Sequence, residues 1–155
     1  MSDVVSIYVD GSCAGNPGEG GWAAYYQYKG IGKFIHGYEE MTTNNRMELT
    51  AAIKALENIK LQHTIKIYTD SVYLKNGITI WIKDWIKNNW RNSAKKEVKN
   101  SDLWRQLLLQ LKEHNIEWLW VKAHTNNQDE FSLGNYLVDD LCVRSRKWFS
   151  YVDNK

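Results

Sequence analysis

The sequence predicts a mixed α/β fold with helices packed on a partly antiparallel sheet. Two observations predict it. Three strand-like runs separated by short turns occupy the first forty residues, as an antiparallel meander would. The remainder alternates as helix, strand, helices, strand and helix. Val4 to Val9 is rich in β-branched and aromatic residues and reads as the first strand. A glycine-rich turn follows, with Gly11, Gly15, Gly18, Gly20, Gly21 and the sole proline, Pro17. Residues 21–28 and 33–38 read as the next strands, joined by a turn at Lys29-Gly30. Residues 45–59 read as a helix, because Leu49, Ala52, Ile53, Leu56 and Ile59 recur at helical spacing. Residues 64–68 read as a strand and 71–80 as the start of a helix. Residues 81–100 are mixed, aromatic and basic. An amphipathic helix is expected over 102–114, with Leu103, Leu107 and Leu111 on one side, and a strand over 116–121. A polar loop from His124 to about Gly134 then leads into a closing helix over 135–148.

Composition bounds the function. The chain has 155 residues, 43% apolar and 25% charged, the balance of one folded domain with a hydrophobic core. A single domain over 1–155 is expected, with neither repeat nor linker. The cysteines are Cys13 and Cys142 alone. Two such residues suggest reduced thiols in a cytoplasmic protein, and the lack of a CxxC argues against zinc. The opening MSDVVSIYVDGS has no basic region before a long apolar run, so no signal peptide is expected. No stretch approaches the ~20 apolar residues of a membrane span.

Four carboxylates draw attention, and each has a plain structural explanation. Asp10, in DGSCAGNPGEGG, suits a turn before glycine. Glu48, in TTNNRMEL, completes Asn45-x-x-Glu48, a capping-box pattern. Asp70, in YTDSVY, suits a helix N-cap. Asp139, in NYLVDDLC, suits a solvated helix face shared with Asp140. Taken together they read differently. Asp10, Glu48 and Asp70 fall at a strand end, a helix start and another strand end, edges that gather at the crevice of an open α/β sheet. Clustered carboxylates raise one another's pKa unless a cation compensates. Oxygen ligands without a Cys or His cluster point to Mg²⁺ or Mn²⁺.

The stretches DGSCAGNPGEGGW, TTNNRMELTAAI, YTDSVY and VKAH, followed by an aspartate in the last helix, closely resemble bacterial type 1 ribonuclease H. WIKDWIKNNWRNSAKKEVKNSDLW resembles the basic protrusion of that family, at about 81–100. The match covers nearly the whole chain, with five motifs in order. The resemblance implies a ribonuclease H-like fold, with a five-stranded mixed sheet of three antiparallel strands then two parallel, flanked by helices. It implies Mg²⁺-dependent endonucleolytic cleavage of the RNA strand of RNA/DNA hybrids, leaving 5′-phosphate and 3′-hydroxyl ends. Two ions about 4 Å apart would activate water and stabilise the departing oxygen, with Mn²⁺ a possible substitute. Asp10 would bridge both ions, Asp70 and Glu48 would complete one shell, and Asp139 the other. Glu48 would also touch the 2′-hydroxyl that tells RNA from DNA. His124 matches a mobile histidine that positions water or aids product release. Cys13, Asn16, Thr43, Asn44, Asn45, Tyr73, Trp81 and Asn100 match positions lining the hybrid groove. A monomer without an obligate protein partner is expected.

Between 83 and 99, six basic residues face two acidic ones. This net +4 leaves −2 for the rest of a chain whose total is +2. An ordinary solvated face is the plain explanation. A phosphate backbone is the functional one, with Lys87, Lys95, Lys96 and Lys99 as contacts. Trp85 and Trp104 read as a small satellite core, and Trp81 as a residue that packs on the DNA strand. Three departures from the family stand out. The loop after His124 is longer by about five residues, a change that costs little in closure entropy, and Ala123 replaces a common glycine beside it. Met41 stands where an arginine often supports the phosphate pocket of Thr43 and Asn100. Val72 replaces a glutamine. The last two predict weaker hybrid binding with the chemistry retained.

Three other readings compete. A non-catalytic hybrid-binding module gains nothing from like charges facing a polyanion. Another nuclease of the same superfold, such as a resolvase or transposase core, shares the carboxylate geometry but not TTNNRMEL. A generic scaffold would use its acids only as caps.

Overall fold

The structure is a computed structural model that describes residues 4–60, 63–121 and 130–153. It contains a five-stranded sheet of β1 (Val4–Cys13), β2 (Gly18–Tyr28), β3 (Ile31–Thr42), β4 (Thr64–Thr69) and β5 (Asn115–Trp120), in the order β3-β2-β1-β4-β5. The first three strands pair antiparallel, and β4 and β5 continue the sheet in parallel. This is the mixed sheet expected above. The β2–β3 hairpin closes through Lys29 and Gly30, both at positive φ (50° and 79°), the twist that suits a two-residue hairpin turn.

The helices are α1 (Asn44–Glu57), α2 (Val72–Asn76), α3 (Ile82–Lys87), α4 (Ser101–Glu113) and α5 (Glu130–Asp153). A π-helical turn, Gly77–Trp81, joins α2 to α3. Side chains alternate across a strand, and β1 therefore feeds two cores. Val5, Ile7 and Val9 join Leu49, Ile53, Leu56, Ile65, Ile67, Trp104 and Leu107. Tyr8 joins Ala23, Tyr68, Val138 and Cys142 of α5.

Several boundaries move. β1 continues four residues past Val9, because Gly11, Ser12 and Cys13 pair with Trp22, Gly21 and Gly20. Asp10 is therefore inside the strand, not at its end. Its parallel partner β4 leaves earlier, the last pair being Tyr8↔Tyr68. Helix α5 begins at Glu130, so the expected polar loop does not reach Gly134. That glycine is buried in the helix against Tyr8: a Cβ there would lie 2.5 Å from the ring. Tertiary packing outweighs glycine's weak helix propensity. Ala123 and His124 lie outside the described residues.

Candidate active site

Register places the first two carboxylates. Tyr8 and Tyr68 are partners, so Asp10 and Asp70 each lie two residues beyond the same rung of neighbouring parallel strands. The chain leaves the sheet at Asp70, and the crevice opens there. Asp70 does not cap α2. Ser71 does, accepting from Leu74 N at 3.0 Å.

Glu48 reaches the crevice from α1. It is no capping-box residue. Thr43 caps the helix, accepting from Arg46 N at 3.2 Å, and Glu48 sits one turn inside. Helix and strand touch backbone to backbone, since a Cβ on Gly11 would fall 2.5 Å from Glu48 N. Only glycine permits that approach. Asp139 comes from α5, more than two turns in, because the helix begins at Glu130 and not at residue 135. Its neighbour Asp140 turns outward and pairs with Arg144 at 2.9 Å.

The ligand atoms of Asp10, Glu48 and Asp70 lie within 4.8 Å of one another, as do those of Asp10, Asp139 and Cys142. Asp10 belongs to both groups. It is 2% exposed and Glu48 4%, while Asp70 and Asp139 are half-buried. Burial, then the charges of Glu48 and Asp70, raises the Asp10 carboxyl well above its ordinary range. Burial pushes the Glu48 carboxyl up to about 8, against a hydrogen bond with Asp10 that pulls it down. The Glu48 Oε2 is buried with no hydrogen-bond partner. An orphaned carboxyl oxygen in an all-oxygen cluster fits a hard divalent cation, which would favour the ionised form. Cys142 is fully buried beside them, and burial and then the Asp10 and Asp139 charges push its thiol far up.

A polar rim flanks the cluster. Asn16 accepts from Asn44 N at 2.8 Å, and the Cys13 thiol donates to the Thr42 carbonyl at 3.4 Å. Asn45 is exposed next to Asn44. Arg46 donates to Asn100 Oδ1 at 3.2 Å and to both Asp102 oxygens at 3.0 and 2.7 Å. Asn100 Nδ2 and Trp104 Nε1 both donate to the Tyr73 hydroxyl, at 3.1 and 2.9 Å. Tyr73 meets Trp81 at 5.9 Å between centroids, and Trp81 meets Trp85 at 5.9 Å. Trp104 is fully buried and Trp85 packs on the main core, so the satellite core is continuous with the larger one. Lys87 is exposed at the end of α3, Lys95, Lys96 and Lys99 are exposed on the segment between α3 and α4, and Met41 and Val72 are exposed as well.

The sequence alone marks neither Arg46 nor Cys142 as part of the site. Cys142 follows Asp139 by three residues, which puts both on one helix face. That spacing was the available signal. For Arg46 no local signal existed, because its partners lie 54 and 56 residues away.

An order β3-β2-β1-β4-β5 with carboxylates gathered where β1 outruns β4 defines the ribonuclease H-like class of folds. The family described as RNase H matches residues 2–147. Ribonuclease H of Rickettsia massiliae is 52% identical over 147 residues, covering 95% of this chain and 93% of that protein. Ribonuclease HI of Rickettsia prowazekii is 50% identical over 147 residues with the same coverage. Among solved structures, LC9-RNase H1, a type 1 RNase H with the type 2 active-site motif, superimposes with a TM-score of 0.82 at 27% identity, covering 95% of this chain and 74% of that one. The chain belongs to the ribonuclease H family, and its resemblance is to the bacterial type 1 enzymes.

Proposed function

We propose that this chain hydrolyses the RNA strand of RNA/DNA hybrids endonucleolytically, with two Mg²⁺ ions held by Asp10, Glu48, Asp70 and Asp139. The observation that carries the proposal is the convergence of these side chains around Asp10, with one Glu48 oxygen buried and unpartnered. Such a cluster is electrostatically costly without a cation. Ions held there would supply Lewis-acid activation of water and stabilisation of the leaving oxygen, the chemistry that would leave 5′-phosphate and 3′-hydroxyl ends. Asp10, common to both ligand groups, would hold the ions together with Asp70, Glu48 and Asp139, and His124 would help position water or release product.

The rim orients the hybrid. Asn16, Thr43, Asn44 and Asn45 offer polar groups beside the carboxylates, with Cys13 next to them. Tyr73, Asn100 and Trp81 form the other wall. Lys87, Lys95, Lys96 and Lys99 meet the phosphate backbone electrostatically. The protein acts as a single domain and monomer in the cytoplasm, with residues 81–100 as its protrusion. Among the described residues no helix is long and apolar enough to cross a membrane.

A gel of end-labelled hybrid, double-stranded RNA and duplex DNA, with Mg²⁺ and with EDTA, tests the proposal. Only the RNA strand of the hybrid should be cut, and only with metal. Hybrid bound but uncut in Mg²⁺ would leave a binding module instead, and equal cleavage of duplex DNA would reassign the substrate.

A further inference from the structure

One side chain in the crevice has no part in hard-cation chemistry. Cys142 is fully buried on α5, one turn after Asp139. Its thiol donates to the Asp139 carbonyl at 3.1 Å, and its sulfur stands 3.9 Å from Asp10 Oδ2. The ligand atoms of Asp10, Asp139 and Cys142 lie within 4.8 Å of one another. Sulfur at ~2.3 Å and oxygen at ~2.1 Å from one tetrahedral ion stand about 3.6 Å apart. The observed separation is within a small side-chain adjustment of that value. A second observation is independent of the thiol. Glu48, more than nine-tenths buried, belongs with Asp10 to the adjoining ligand group and leaves Oε2 without a partner. The crevice thus offers an unsatisfied carboxyl oxygen as well as a sulfur.

We propose that Asp10, Asp139 and Cys142 form a site for a thiophilic divalent cation of the zinc and cadmium class, overlapping the hard-cation site. This rests on Asp10 and Asp139 being cation ligands, as proposed above. Sulfur ligands select such ions, whereas Mg²⁺ keeps to oxygen. On coordination the S–H bond breaks as the metal–sulfur bond forms. The proton passes to solvent and nothing is oxidised or reduced. Asp139 and the neighbouring Asp70 are half-buried, so this edge of the cluster meets solvent. A CxxC is therefore not needed to bring sulfur to a metal here. The fold supplies it from 132 residues away from Asp10.

Cadmium titration tests this, read by the ultraviolet thiolate-to-cadmium charge-transfer absorption and by calorimetry. Cys13→Ser removes the other thiol, and Cys142→Ala and Cys142→Ser are compared in that background. Circular dichroism checks folding, and the serine variant serves if the alanine variant unfolds. The Cys13→Ser protein should develop the band to saturation at one cadmium per chain. The band should vanish in both double variants, with affinity down tenfold or more, and excess Mg²⁺ should weaken cadmium binding. No band in the Cys13→Ser protein, or unchanged cadmium affinity without Cys142, overturns the proposal. Hybrid cleavage in Mg²⁺ without a cadmium band would sink this inference alone. A cadmium band in a protein that does not cut hybrid would sink only the proposed reaction.

Discussion

At Glu48 a carboxylate occupies a helix position with almost no solvent around it. The pattern Asn45-x-x-Glu48 announced a helix start, which is where the helix is. It did not announce which residue caps, because Thr43 takes that role with its own hydroxyl. Local pattern fixes the neighbourhood, and packing against Gly11 fixes the function of the side chain. Asp10→Asn and Glu48→Gln should each remove several kcal/mol of charge stabilisation, roughly a thousandfold in rate or more. Single-turnover cleavage of labelled hybrid measures this, and rates within tenfold of the parent would contradict the assignment. Both variants should stay folded. At the rim, Met41 is 73% exposed, two residues before the Thr43 that caps α1. Met41→Arg should tighten hybrid binding and steepen its salt dependence by about one counterion. Equal dissociation constants for the two proteins would discard that account of the pocket.

The elements were legible where periodicity is strong and illegible where tertiary contact decides. All five strands are legible as strand-like runs, the first from its β-branched and aromatic residues, and α1 and α4 from helical spacing. The interruption between α2 and α3 is not, since nothing local in GITIW signals a π-helical turn. It begins at Gly77, which lies under Trp104, where any side chain would enter the indole. Gly77→Ala should therefore displace Trp104 and loosen its bond to the Tyr73 hydroxyl. The expected cost is about 1–3 kcal/mol of overpacking, read as a lower midpoint in urea. An unchanged midpoint would mean the indole has room elsewhere. The basic segment makes a separate prediction. Replacing Lys95, Lys96 and Lys99 with alanine should lower hybrid affinity and flatten the plot of log K against log salt by up to ~3. The slope should stay as it was if these side chains merely face water.

For the molecule as a whole, the crevice couples protonation and metal to stability. Glu48 ionises near its ordinary 4.5 when unfolded and about 8 when folded. Below 4.5 both states hold the proton and nothing is lost. From 4.5 to 8 the unfolded chain ionises while the folded one keeps its proton, so folding weakens, and above 8 the loss is complete. In EDTA the parent should lose stability across this window. Glu48→Gln should lose less, and Mg²⁺ should restore the parent by mass action. Urea midpoints at several pH values measure it, and parallel curves for parent and variant would refute the linkage. The fold class was readable from strand and helix order alone. The convergence was readable only as motifs at fixed spacing, because which rung of β1 outlasts β4 is a property of register. One consequence reaches further. With the backbone of Gly11 wedged against the backbone of Met47 and Glu48, the approach of strand to helix here leaves no room for a side chain that a later mutation might lengthen. The gauge of this site is set by main-chain geometry. Variation among its descendants should therefore fall on what surrounds the acids and hardly at all on the span between Asp10 and Glu48.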